Sequence, residues 1–126
     1  MIVLDTSALL FWTLDPNHLT GAARQAIEQA DRILISSISI WEIALKVKKQ
    51  VLELPLSVNE YANRLQSLEK LEILPVDGQT WLENLDLAWE RGDPADRTIV
   101  ALAVRFDCPL VSSDPVIANY YPGTVW

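Results

Sequence analysis

Apolar residues along this chain fall into short uninterrupted runs separated by longer stretches with helical spacing, the pattern of strands alternating with helices. Ile2-Val3-Leu4 is apolar at every position, as a strand buried on both faces must be. Asp5-Thr6-Ser7 caps the apolar segment Ala8 to Leu14 as a helix, which Asp15-Pro16 closes. Thr20 caps a second helix from Gly21 to near Ala30, with Ala23, Ala26 and Ile27 on its inner face. Arg32 to Ile35 predicts a second strand, and Ser36-Ser37 leads into a helix that runs to the neighbourhood of Gln50. After Leu54-Pro55, Ser57 opens another helix towards Leu68; Ile73-Leu74 is a weak strand; Asp77 caps a helix carrying Trp81, Leu85 and Trp89. The sharpest boundary comes next, with Asp93 as cap, Pro94 at the first helical position and Asp96 in the first turn. Ile99, Leu102, Ala103 and Phe106 then supply the i, i+3, i+4, i+7 stripe of a buried face. Pro109-Leu110-Val111 predicts a strand, Asp114-Pro115 a short helix, and Thr124 to Trp126 a last edge strand. Together these elements predict an α/β fold with a parallel sheet covered on both faces.

Composition narrows the chemistry. The 126 residues suit one domain, 1–126, with half of them apolar. The longest apolar run is Ile99 to Val104, far below the roughly 18 residues of a membrane span, and no basic stretch or cleavage site accompanies Ile2-Val3-Leu4, so neither a span nor a signal peptide is expected and the expected compartment is the cytoplasm. A single cysteine, Cys108, excludes disulfide frameworks and Cys-x-x-Cys sites within one chain. A single histidine, His18 in a polar turn, argues against histidine-rich zinc sites. Four glycines cannot write a dinucleotide fingerprint or a P-loop. Against 10 Lys and Arg stand 17 Asp and Glu, a formal net charge of −7 that opposes nucleic acid unless cations intervene.

The acids recur where parallel sheets place their ligand sites, just past the strands. Asp5 follows the first strand, Glu42 lies in the first turns after the second, Asp96 opens the Pro94 helix, and Asp114 follows Leu110-Val111. Carboxylates gathered there repel unless a cation lies between them, and an oxygen-only donor set suits Mg²⁺ or Mn²⁺. Each acid also has an ordinary structural role open to it. Asp5 and Asp93 are helix caps by position, Glu42 completes a capping-box spacing with Ser39, Asp96 complements a helix dipole, and Asp114 forms a turn before Pro115.

The same segments resemble a family. Ile2-Val3-Leu4-Asp5-Thr6-Ser7-Ala8-Leu9-Leu10, Ser39-Ile40-Trp41-Glu42-Ile43-Ala44-Leu45-Lys46, Asp93-Pro94-Ala95-Asp96-Arg97-Thr98-Ile99-Val100-Ala101-Leu102-Ala103 and Leu110-Val111-Ser112-Ser113-Asp114 are similar, in order and spacing, to PIN-domain ribonucleases, nearest to the toxins of VapBC toxin-antitoxin pairs. The resemblance implies a three-layer α/β/α fold with a short central parallel sheet, and an acidic pocket for one or two Mg²⁺ or Mn²⁺ ions. Matched residue by residue, it implies Asp5, Glu42, Asp96 and Asp114 as catalytic and metal-binding acids. Asp93 matches the first acid of an Asp-Pro-x-Asp-Arg block and is a further candidate metal ligand, and Ser7 and Ser112 match hydroxyl positions that orient carboxylates or water. Two departures stand out. Related toxins often carry His two residues before that block and an aromatic before its second Asp; here the residues are Arg91 and Ala95, which implies a more open pocket wall at Ala95.

The expected activity is hydrolysis of an RNA phosphodiester by a metal-activated water, leaving 5′-phosphate and 3′-hydroxyl ends. Lys46, four residues after Glu42, either pairs with it or meets a phosphate, and Arg97 is a second candidate for phosphate contact. The tryptophans are candidates for base stacking or for core and interface positions, and the resemblance places Trp12 and Trp41 near a groove for the C-terminal segment of an antitoxin. It also implies a homodimer and a toxin-antitoxin hetero-oligomer. Two alternatives remain at this point. The strand ending in Asp5 resembles haloacid-dehalogenase-like phosphatases, although those need a second acid where this chain has Ser7; and a catalytically inert PIN-like binding module would share the same elements.

Overall fold

The computed structural model describes residues 1–126. Its elements follow in the order β1 (Ile2–Leu4), α1 (Thr6–Leu14), a 3₁₀ turn (Pro16–His18), α2 (Gly21–Gln29), β2 (Ile33–Ser36), α3 (Ser37–Lys48), α4 (Val58–Gln66), β3 (Leu71–Leu74), α5 (Gly78–Asp86), α6 (Pro94–Phe106), β4 (Leu110–Val111), α7 (Pro115–Tyr120) and β5 (Thr124–Val125). The five strands form one sheet in the order β3-β2-β1-β4-β5, with every neighbouring pair parallel. Parallel strands need crossovers, and helices supply each of them, the short α7 alone serving between β4 and β5.

Two apolar layers form on opposite faces of the sheet because side chains alternate along each strand. Ile2 and Leu4 of β1 pack with Leu9, Ala23, Ile27, Ile43, Tyr61 and Leu65 from α1 to α4. Val3, between them in sequence, packs instead with Ile99, Val100, Leu102 and Ala103 of α6 and Ile117 of α7. The result is a three-layer α/β/α fold. No helix is long and apolar enough to cross a membrane.

Side-chain caps fix most helix starts. Asp5, Thr20, Ser36, Ser57, Asp77, Asp93 and Asp114 each accept a backbone N–H at the N-terminus of the helix that follows. The third strand starts at Leu71, two residues earlier than its apolar run suggests, because Glu72 breaks the run yet pairs in register with Leu34. The helix after Asp77 stops at Asp86, so Trp89 lies beyond it and stacks on Tyr120, with ring centroids 4.8 Å apart.

The sheet has its switch of direction at β1: the chain winds outward through β2 and β3 on one side, then returns to build β4 and β5 on the other. A crevice opens at the carboxyl ends of the strands flanking such a switch.

Candidate active site

Asp5 stands at that crevice, directly after β1. Its Oδ1 accepts the backbone N–H of Ala8 at 2.8 Å, so it does cap α1, and its own N–H bonds Val111 of the adjacent β4. Only 7% of the residue is exposed. Burial pushes its carboxyl up to about 6; the charges of Asp96 and Asp114 push in the same direction, while the Ser112 hydroxyl and the Ala8 N–H pull it back. A cap therefore occupies one carboxylate oxygen, and the group as a whole feels the charge of two further acids.

Those acids arrive from the far side of the switch. Asp114 follows β4, caps α7 through Oδ1 to the Val116 N–H at 2.8 Å, and takes its own N–H to the Ser112 hydroxyl at 3.1 Å. Asp96 sits in the first turn of α6. Burial raises its pKa, and the neighbouring Asp93 and Asp114 charges add to the effect. Asp93 itself is exposed and caps α6, accepting the N–H groups of Ala95 and Asp96 at 2.9 and 3.2 Å. Ala95 lies in the core with 3% exposure, within the apolar layer built on α6.

An arginine threads between two of the acids. Arg91 donates from Nε to Asp96 Oδ2 at 2.9 Å, and its Nη2 lies 3.6 Å from Asp114 Oδ2. Nothing in the periodicity of the sequence singled this residue out; its position two residues before Asp93 was the only signal.

Glu42 is held differently. Ser36, not Ser39, caps α3, so Ser39 and Glu42 form no capping box. Ser39 is a fully buried residue in the first turn of the helix, and its i, i+3 spacing puts it beside Glu42. Thr6, at the start of α1, bonds both of them, donating to Glu42 Oε1 and lying 2.9 Å from the Ser39 hydroxyl. Thr6 was not among the expected site residues; its neighbour Ser7 was, and Ser7 makes no side-chain hydrogen bond of this kind. The sequence carried the signal in the Asp5-Thr6 adjacency, where a hydroxyl at the first helical position turns back towards α3.

The two expected phosphate contacts separate. Lys46 is exposed and forms no ion pair with Glu42, which leaves its ammonium free. Arg97 is committed elsewhere. Its guanidinium donates to the side chain and backbone carbonyl of Asn84 and to the backbone carbonyls of Leu87, Trp89 and Arg91, which accounts for all of its N–H groups. Arg97 thus pins the segment joining α5 to α6 and has no donor left for a phosphate.

No three acidic side chains converge closely enough, as they stand, to chelate one ion. The donor chemistry nonetheless fits a hard divalent cation: three carboxylates share a partly desolvated edge, two of them with raised pKa values, and no histidine or thiolate is near. Glu42 is not among the charges that shift Asp5 or Asp96. Two depressions are of note, and only the second borders this edge, through Arg91. An apolar cavity of about 410 Å³ lies between α1 and α4, lined by Trp12, Leu14, Leu56, Tyr61 and Leu65 among others. A polar one of about 600 Å³ is lined by Trp81, Asn84, Arg91, Pro94 and Arg97 among others. Trp41 lies away from the first, in a crevice shared with Trp81.

The chain has relatives among known proteins. The model of the family described as "PIN domain" matches residues 2–121. The chain is similar to Ribonuclease VapC22 of Mycobacterium tuberculosis, with 31% identity across 99% of this chain and 98% of that protein. Its fold is similar to a chain of a toxin-antitoxin complex from Klebsiella pneumoniae, with a TM-score of 0.69 and 19% identity over 100% of this chain and 97% of that one. It is also similar in fold to VapC20 of Mycobacterium tuberculosis, described as a sarcin-ricin loop cleaving toxin, with a TM-score of 0.61 and 16% identity over 96% and 97% of the two chains.

Proposed function

The chain belongs to the PIN-domain family, and from that premise we propose that it is a metal-dependent endoribonuclease serving as the toxin of a toxin-antitoxin pair. The observation that carries the reading is the gathering of Asp5, Asp96 and Asp114 at the switch point, where burial and mutual repulsion raise the pKa of Asp5 to about 6. Similarity to a ribonuclease over nearly the full length supports the choice of substrate.

Asp5, Asp96 and Asp114 would hold one or two Mg²⁺ or Mn²⁺ ions, with Glu42 as a fourth acid and Asp93 kept to its capping role. Bound there, the ion supplies the Lewis acidity that activates water for in-line attack on phosphorus and offsets charge on the phosphate. The chain's own residues do the rest. The Ala8 N–H and the Ser112 hydroxyl fix Asp5, and Thr6 with Ser39 fixes Glu42. Lys46, exposed and without an acid partner, is the side chain we assign to a substrate phosphate. The strand cleaved is not distinguished by the chemistry of such an attack, so preference for RNA comes from recognition.

The apolar cavity between α1 and α4 supports a seat for the antitoxin's C-terminal segment, with Trp12 on its wall. Exposed Trp41, Trp81, Leu82 and Leu85 support burial of the α3 and α5 faces in a homodimer or hetero-oligomer. Purified protein incubated with structured RNA and Mn²⁺ should cleave it. Cleavage should stop in EDTA and fall about a hundredfold or more in Asp5→Asn, whose carboxamide still caps α1. Cleavage surviving both would assign the activity to another site or another protein. Growth arrest on expression, relieved by the same substitution, separates a toxin from an inert binding module.

A further inference from the structure

Arg91 is the one cation inside the acidic edge, and its contacts are with particular oxygens. Each of Asp114 and Asp5 gives Oδ1 to a helix-capping N–H. The oxygen left to Asp114, Oδ2, is the one that faces Arg91, and Asp96 likewise presents its Oδ2 to the Arg91 Nε at 2.9 Å. The guanidinium therefore occupies a carboxylate oxygen of each acid, and at Asp114 it is the oxygen that capping leaves free. We infer that Arg91 is an internal counter-ion that competes with the divalent cation for Asp96 and Asp114 and so sets how tightly this protein binds it. The inference rests on the metal-dependent reading given above and adds a regulator to the same site.

Three features make the exchange physically easy. The Arg91 backbone carbonyl is held at 3.1 Å by Arg97 Nη1, so the side chain can leave while its backbone stays in place. The polar cavity of about 600 Å³ is bordered by Arg91 itself, giving the displaced side chain a solvated place to go. The side chain is already 31% exposed, and the two carboxylates it bridges are 18% and 30% exposed, so the pair is neither sealed nor fully screened. One positive charge against three carboxylates leaves the edge undercompensated, which is why a doubly charged ion can win. Arg91 nonetheless raises the concentration of ion needed, and the metal-free protein is held in a closed, self-paired state.

Calorimetric titration with Mn²⁺ tests this directly, using the wild type, Arg91→Gln and Arg91→Lys. Gln removes the charge and should tighten Mn²⁺ binding about tenfold. Lys keeps a charge but cannot span both carboxylates, and should fall between the two. In nitrogen-15 spectra, Mg²⁺ saturation of the wild type should move the Arg91 Nε–H resonance towards that of an exposed arginine. Equal or weaker Mn²⁺ binding by both variants, or an Nε–H resonance unmoved at saturation, overturns the inference and leaves the nuclease reading intact. If Arg91→Gln does not fold, the Lys variant alone decides by the same criterion. Failure of wild type and variants alike to bind Mn²⁺ overturns the metal-dependent reading and this inference with it.

Discussion

The two edges of the sheet treat their acids in opposite ways. At the amino edge, Asp31 pairs with the chain's amino terminus at 3.0 Å, and Glu72 takes two hydrogen bonds from Arg32 at 2.9 and 2.8 Å. These partners hold both carboxyls below their ordinary range. At the carboxyl edge, Asp96 and Asp114 share the single guanidinium of Arg91, Asp5 has no cationic partner, and the carboxyls of Asp5 and Asp96 are pushed up. Matched charges suit an edge that only has to fold. Mismatch at the other edge costs stability and persists where the fold leaves a crevice, so the difference, rather than the abundance of acid, marks the site.

The largest test of that contrast is pH. Asp5 ionises near 6 in the folded protein and near 3.8 when unexposed to the fold's environment, so the folded state holds the extra proton in between. A raised acid is neutral and harmless below its unfolded value; its penalty grows as pH climbs and is complete above the folded value. Ionising Asp5 should cost the metal-free protein about 3 kcal/mol above pH 6. Denaturant melts in EDTA should show Asp5→Asn gaining on the wild type by that amount between pH 4 and pH 7, with saturating Mn²⁺ at pH 7 erasing the gain. A difference flat with pH would remove the contrast between the edges.

How far the sequence carried this comparison depends on the scale of the feature. Strand ends are local: Leu4, Ile35 and Val111 close apolar runs, and the acids behind β1 and β4 could be placed without knowing the pairing order. Helix starts were equally legible at Thr20, Ser57, Asp77 and Asp93, because a cap acts within three residues of its own position. Side-chain partners across the sheet were not. Arg91 and Arg97 are six residues apart with the same chemistry, yet one bridges carboxylates and the other binds uncharged carbonyls, and only the path of the segment between α5 and α6 decides which. Ser39-x-x-Glu42 has capping-box spacing, but the helix starts three residues earlier at Ser36, which turns a supposed cap into part of the Thr6 contact.

That Thr6 contact offers a smaller test within the carboxyl edge. Glu42 is kept in place there by hydroxyls instead of by a cation. Thr6→Val keeps the shape and removes the hydroxyl, leaving Ser39 and Glu42 each short of a partner. Stability should fall by about 1 to 2 kcal/mol in thermal or denaturant melts. RNA cleavage should fall about tenfold, through loss of alignment and with the fold retained. Full activity in the variant would remove Glu42 and its hydroxyls from the working part of the site.

The smallest effect belongs to the amino edge. Arg32 and Glu72 are joined by a two-pronged contact, but their side chains remain 44% and 42% exposed, so water and salt screen the pair and most of its attraction is recovered by solvation when it breaks. The lowered pKa of Glu72 gives its contribution the opposite sign to that of Asp5: it is present at neutral pH and is lost as pH falls through the carboxylate range. Glu72→Gln should lower Tm by less than about 2 °C at pH 7 and leave it unchanged near pH 2, as read by calorimetry. A loss at pH 7 as large as the gain in Asp5→Asn would mean that matched surface pairs carry the fold as strongly as the unmatched pocket strains it, and the two edges would then differ in sign alone.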